Sequence, residues 1–303
     1  MAGCAGLQPS ENRNAQTAQP RWHVETLSGS SHERSLEALY RGAIYQPTRA
    51  RIWVIPGSGC SGMGPLASRY FAGLLHAEVI VLHKHGVSAL GSKAASDCSP
   101  AFVRDDAPKA WLDDLIKAVG KGQQRDFHDE TPQWLVGISE GGELAPHLAP
   151  YIRNLHGIVL IGSAGLDPAS VASLRLSDPR LMEMWAEVVK ATQGTASNTT
   201  IIHGRSLRYW RDFLDWRTAD ILHGGAWTLL QAWGTRDEMV PKAAYDEFAR
   251  LQTTRVASYC PVEIVGADHN LQQPDGTDGI QRIWSILEGW IRNEVLRCPR
   301  AEE

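Results

Sequence analysis

From residue 22 to about residue 295, short unbroken apolar runs alternate with longer stretches in which apolar residues recur every three or four positions. The runs are "RIWVIPG" from residue 51, "EVIVLHKHG" from 78, "QWLVGIS" from 133, "GIVLIGS" from 157, "WTLLQAWG" from 227 and "VEIVGA" from 262. Near-continuous apolar strands without alternation belong to a parallel sheet covered on both faces. Between them, "LASRYFAGLLH", "AWLDDLIKAV", "GELAPHLAPYI", "AAYDEFARL" and "IQRIWSILEGWIRNEV" carry helical spacing. The repeat of strand and helix predicts an α/β fold, an open and mostly parallel sheet with helices on both faces. Two early segments, "RWHVETLSG" and "ALYRGAIYQ", alternate polar and apolar positions as an antiparallel edge does.

Two stretches break the rhythm. Residues 1–20 are polar, rich in Ala, Gln, Asn and Ser and without a period, and read as a disordered tail. Residues 164–226 separate two strands that a single crossover helix would join, and read as an inserted cap. The predicted organisation is therefore a tail (1–20), a core in two pieces (21–163 and 227–300) and a cap (164–226). Within the cap, "SLRYWRDFLDWRTADIL" predicts a helix with Trp210, Phe213 and Trp216 on or near one stripe, read as packing rather than ligand contacts.

Composition narrows the function classes. A chain of 303 residues with 43% apolar and 21% charged residues is an ordinary globular composition, enough for one large domain or two modest ones. A net charge of -4 and no run of Lys and Arg leave no electrostatic footprint for nucleic acid or an anionic membrane. No apolar stretch is long enough to cross a bilayer, so no transmembrane segment is expected. No phosphate-binding glycine loop of a nucleotide site occurs. His83 and His85 in "HKH" offer two imidazoles without a third ligand, so no metal or other cofactor is expected. The oligomeric state is left open.

The chemistry centres on Gly137-Ile138-Ser139-Glu140-Gly141, a G-x-S-x-G after a strand and before a helix. In that context the serine sits on a sharp turn at the top of the sheet, beside free N–H groups at a helix start. The same glycines would also serve a plain helix cap with Ser139 as capping residue. Three further segments follow strand ends, where an open α/β sheet keeps its site. "PGSGCSGMGP" (56–65) can present a backbone N–H to a reacting carbonyl, from Ser58 first and Gly59 next; with the N–H of Glu140 this would form an oxyanion hole. "TRDEMVP" supplies Asp237 and "ADHNL" supplies His269, the carboxylate and imidazole that a serine nucleophile needs. Glu238 and Asp268 are rivals in sequence, and Asp167 in "GSAGLDP" is the alternative acid.

With Ser139, Asp237 and His269 in that order, the chain from about 22 to 295 resembles the α/β-hydrolase superfamily. "PGSGCSG", "GISEGG", "WGTRDEMVP" and "ADHNL" are similar to segments of dienelactone-hydrolase-like and prolyl-oligopeptidase-like esterases and peptidases. The resemblance implies the α/β-hydrolase fold, with Ser139 as nucleophile, His269 as general base and then acid, and Asp237 as orienting carboxylate. It implies a carboxylesterase-like serine hydrolase acting on a small ester or acyl substrate. A serine peptidase or amidase, and a non-catalytic binding protein on the same fold, are the alternatives. Pro56-Gly57 departs from the His-Gly that often opens the oxyanion loop.

Ala2-Gly3-Cys4 resembles the end of a bacterial lipobox. The charged and apolar segments that would precede one are not in the chain, so a periplasmic or lipid-anchored location requires a start further upstream; otherwise the location is cytoplasmic. An oxidising compartment would pair the four other cysteines. Cys60 and Cys98 lie in loops above the active edge of the sheet, Cys260 and Cys298 below it, which suggests those two pairs; four unpaired thiols is the alternative.

Overall fold

The computed structural model describes residues 21–124, 130–175, 179–292 and 298. The expected tail (1–20, with Cys4) and the end of the last expected helix beyond 292 lie outside the described residues. Eight strands form one sheet, and their residues account for its layering. In β3 (Ala50–Ile55) and β4 (Ala77–Leu82) every residue is buried. Trp53 and Ile55 enter a core on one face, with Leu115 of α3 (Pro108–Gly122), Leu144 of α4 (Glu140–Leu148) and Phe248 of α9 (Lys242–Gln252). Ile52 and Val54 enter a core on the other face, with Ala67 of α1 (Gly64–Tyr70) and Trp284 of α10 (Ile280–Ile291). A strand buried on both sides has no polar face to alternate, which is why the runs were continuous.

The strand order is β1-β2-β4-β3-β5-β6-β9-β10. Strands β1 (His23–Ser28) and β2 (Ser35–Arg41) pair antiparallel, as does β2 with β4. Strands β4, β3, β5 (Gln133–Ile138), β6 (Leu155–Ile161), β9 (Thr228–Gly234) and β10 (Tyr259–Ile264) run parallel. Because β3 has β4 on one side and β5 on the other, the order reverses at β3, and a crevice opens beyond the carboxyl ends of β3 and β5. Between β4 and α3 the chain forms α2 (Pro100–Asp105). Between β6 and β9 it passes through α5 (Pro168–Leu174), α6 (Pro179–Thr192), a hairpin of β7 (Ile201–Ile202) and β8 (Arg205–Ser206), α7 (Leu207–Asp215) and α8 (Ala219–Gly224).

Three expectations need correction, each where contacts far along the chain override the local pattern. The second edge strand is Ser35–Arg41, not 38–46: Arg41 is buried and donates to the carbonyls of Phe71 and Leu74, and the chain then leaves the sheet. Those contacts, with the Glu288 carboxylate accepting the N–H groups of Leu75 and His76, end the first helix at Tyr70 although "FAGLLH" keeps helical spacing. The single helix expected over 206–222 is two, since the Asp167 carboxylate accepts the N–H groups of Thr218 and Ala219 and starts α8 anew. The sequence reading also named no helix for α2, α5 or α6.

Cys60 and Cys98 stand at disulfide distance with Cα atoms 5.6 Å apart, and Cys260 and Cys298 likewise at 5.4 Å. Cys260 lies on β10 itself rather than before it. Among the described residues no helix is long and apolar enough to cross a membrane.

Candidate active site

Ser139 follows β5 directly with φ 51° and ψ -120°, a positive-φ backbone that a serine adopts only when its surroundings enforce it. Its N–H donates to the Ile161 carbonyl at 2.7 Å and its carbonyl accepts the Gly142 N–H at 2.9 Å. The flanking glycines are a packing requirement. A Cβ on Gly141 would lie 2.2 Å from the Ile55 carbonyl oxygen, and one on Gly137 2.5 Å from the Gly142 Cα. The turn therefore closes only without side chains, and it aims Ser139 away from the sheet into the crevice.

His269 arrives from the loop after β10. Its Nε2 lies 3.0 Å from the Ser139 Oγ and its Nδ1 2.8 Å from the Asp237 Oδ2. A carboxylate only accepts, so Nδ1 carries the proton and Nε2 is left to accept from the serine hydroxyl. Gly162, at the end of β6, clears the space for the ring, since a Cβ there would come 3.1 Å from the His269 Cε1. Asp237 follows β9 and also accepts the N–H groups of Met239 and Val240 and the Tyr245 hydroxyl. Burial works against its charge, but the hydrogen bonds from His269, Val240 and Tyr245 outweigh it and hold the carboxyl below the ordinary aspartate value.

The rivals lie elsewhere. Asp167 caps α8, and the Asp268 carboxylate accepts the N–H groups of Asn270 and Gln272. Glu238 lines an open groove on the far side of His269. His83 is also engaged: Nδ1 donates to the Glu37 carbonyl and Nε2 accepts the Met63 N–H, beneath the loop that follows β3. Burial lowers its pKa, which keeps the ring neutral for that double role. In the loop above, Ser58 lines the cavity with Ser139 and Glu140. A Cβ on Gly57 would lie 3.3 Å from the Ser139 Cβ, so the loop backbone rests against the serine. The closure of that loop is tied by the Cys60–Cys98 pair.

The cavity measures about 260 Å³. Ser58, Ser139 and His269 form one wall; Trp185, Trp210 and Phe213, from α6 and α7, form another. This corrects the reading of the cap aromatics: Trp210 and Phe213 pack against each other and also face the cavity. Trp216 instead packs at a tilt against His147 and donates its indole N–H to the Glu143 carbonyl.

Sequence reasoning missed a buried charge cluster at the start of α4. Lys84 donates to Asp106 and to Glu140, each at 2.8 Å, and its ammonium lies 4.3 Å from the Trp111 ring. Arg205, from the β7–β8 hairpin, bonds Asp106, reaches within 4.0 Å of Glu140 and covers the Tyr209 ring. Burial would raise the Glu140 pKa, but Lys84 and Arg205 together hold it down. The residue whose N–H was the oxyanion candidate is thus clamped through its side chain. The available signal was a lysine at the end of an otherwise buried strand and an acid inside G-x-S-x-G. Tyr245, stacked on Trp233 and bonded to Asp237, left no such signal.

A serine hydroxyl bonded to an imidazole, whose other N–H is held by a carboxylate, can be deprotonated as it attacks an acyl carbon. No family model matches the chain, and no curated protein matches it by sequence. Solved structures do. Est1E from Butyrivibrio proteoclasticus, with ferulic acid bound, superposes with a TM-score of 0.62 at 15% identity, over 90% of this chain and 100% of that one. A Mycobacterium tuberculosis puromycin-hydrolyzing peptidase gives 0.59 at 14%, over 93% of this chain and 40% of that one. Mouse alpha/beta hydrolase domain-containing protein 10 gives 0.58 at 16%, over 89% and 99%. The shared feature is the architecture: the chain has the α/β-hydrolase fold.

Proposed function

We propose that this protein is a serine hydrolase that cleaves a small carboxylic ester through an acyl-enzyme on Ser139. The observation that carries the reading is the file of hydrogen bonds Asp237–His269–Ser139, 2.8 and 3.0 Å, ending at the wall of an aromatic-lined cavity. In this reading His269 takes the serine proton as Oγ attacks the carbonyl, and Asp237 stabilises the imidazolium. The N–H groups of Ser58 and Glu140 receive the developing oxyanion. His269 then gives the proton to the leaving alcohol, and water, activated by the same imidazole, releases the acid. The groove beyond His269, about 420 Å³ and open, gives the leaving group a way out. Residues 164–226 act as the cap that sizes the acyl side, since α6 and α7 supply its aromatic wall.

The open groove beyond His269 is lined by two acids, Glu238 and Asp268, so a serine peptidase or amidase stays the alternative that the assay must separate. Two cysteine pairs at disulfide distance support an oxidising, extracytoplasmic setting. A fluorophosphonate probe, with peptide mapping, tests the reading together with a series of 4-nitrophenyl esters of increasing acyl length. Labelling at Ser139 and turnover of short or aromatic acyl esters are expected. Labelling without turnover of esters or of 4-nitroanilides would indicate a binding protein, and turnover of the anilides alone an amidase.

A further inference from the structure

Glu143 stands four residues after Ser139, one turn into α4 and on the same side of the helix. It lines the same cavity as the serine, where α6 and α7 contribute apolar and aromatic side chains and the two arginines are engaged, Arg205 with Asp106 and Arg175 with the Glu238 and Met239 carbonyls. Its side chain is surrounded by protein on every side yet keeps accessible surface, so what it faces is the cavity. Among the described residues none donates to or accepts from its carboxyl, while its neighbour Glu140 is bonded to Lys84 and close to Arg205. An acidic side chain left without a protein partner in an apolar pocket is one whose partner is not part of the chain.

We propose that Glu143 selects the acid portion of the substrate, its carboxyl forming a hydrogen bond with a neutral oxygen, hydroxyl or carbonyl, carried on the acyl chain. The inference rests on the acyl-enzyme reading above and adds the substrate class to it. The charges around the group decide why the oxygen is neutral. Burial raises the Glu143 pKa well above the ordinary value and the Glu140 carboxylate raises it further; Lys84 and Arg205 pull the other way without prevailing. Both cations are already committed to Asp106 and Glu140. Tyr209, a further neighbour, is pushed up by burial and keeps its proton; His269 and Arg175 also line the cavity, bonded to Asp237 and to the Glu238 and Met239 carbonyls. The upward shift of Glu143 favours its protonated carboxyl, which can both donate and accept. A carboxylate on the acyl chain would meet Glu140, while Arg175 already donates to the Glu238 and Met239 carbonyls. A plain hydrocarbon chain would leave the acid dry and unbonded, a penalty that an oxygenated chain removes.

The test compares kcat/KM for 4-nitrophenyl hexanoate, its 6-hydroxy and 5-oxo analogues, and mono-4-nitrophenyl adipate, which ends in a carboxylate. The wild-type protein is expected to prefer an oxygenated neutral chain over hexanoate by about tenfold, the factor that one net hydrogen bond supplies, and to discriminate against the adipate. Glu143→Gln, whose amide also donates and accepts, should keep the preference, while Glu143→Leu should bring the ratio to about one whichever way the absolute rates move. A ratio unchanged in Glu143→Leu, or a preference for the adipate, would overturn the proposal. Urea unfolding gives a readout independent of turnover. A carboxyl raised in the folded state weakens folding as pH climbs past the unfolded value of about 4.3. Glu143→Gln should therefore gain stability over wild type as pH rises from 4 to 8, and a pH-independent difference would also count against the proposal. If no ester turns over and Ser139 stays unlabelled, the acyl-enzyme reading falls and this inference with it. If Ser139 labels and the esters turn over without preference, only this inference falls.

Discussion

Asp237 accepts from His269, from two backbone N–H groups and from Tyr245, so its position is fixed from three directions. Asp237→Asn keeps that outline but presents an amide to Nδ1, favouring the wrong imidazole tautomer, and kcat should fall by about 10⁴. Asp167→Asn affects the start of α8 and an exposed contact with Arg217, away from Ser139, so it should cost about 1 kcal/mol or less of stability and leave kcat within a few-fold. Steady-state kinetics on one activated ester decides between them; a collapse in the Asp167 variant alone would move the acid to that loop. The acid limb follows in sign. With its folded pKa depressed, Asp237 contributes stability above the unfolded value of about 3.9, and that contribution is lost only as pH falls through the lower folded value. These residues were legible in the sequence because each follows a strand end and a local motif marks it. Lys84, Asp106 and Arg205 were not, because their roles exist only through partners 22, 56 and 99 positions away.

The first turn of α4 gathers most of these constraints. Its glycines meet the β3 carbonyl end, its Glu140 carboxylate meets Lys84 from the end of β4, and through Arg205 it meets the β7–β8 hairpin. Lys84→Met keeps the length of the side chain and its apolar contact with Trp111 but leaves Asp106 and Glu140 buried with only Arg205 between them. Breaking one partner of a buried pair costs about 3–5 kcal/mol, and chemical denaturation of the full chain should read a loss of that size. A loss under about 1 kcal/mol would mean the cluster is hydrated and weak. Elements were legible in the same uneven way. Strands buried on both faces were read directly from their apolar runs. Helix ends were misread where Arg41, Glu288 and Asp167 capture backbone groups from far along the chain, which no local periodicity records.

At the scale of the whole molecule, the sheet brings four loops from distant parts of the chain to one edge, and the cysteine pairs act on opposite ends of that arrangement. Cys60–Cys98 joins the loop carrying Ser58 to the segment after β4, on the cavity side; Cys260–Cys298 joins β10 to the chain beyond α10, away from it. Both span 38 residues, so in the chain-entropy account each bond stabilises by a similar amount, at most about 4 kcal/mol. Their effects on turnover should differ, because only one of them restrains a proposed oxyanion donor, whose displacement by a fraction of an ångström is costly. Cys60→Ser should therefore lower kcat by tenfold or more as well as the unfolding midpoint. Cys260→Ser should lower the midpoint by a comparable amount with kcat within twofold. Peptide mass spectrometry without reduction, on protein purified under air, establishes first that the two linkages are present. Four free thiols at that stage would remove both pairings, and with them the support for an oxidising compartment. Equal loss of kcat in the two variants would instead show that the upper bond serves only the fold.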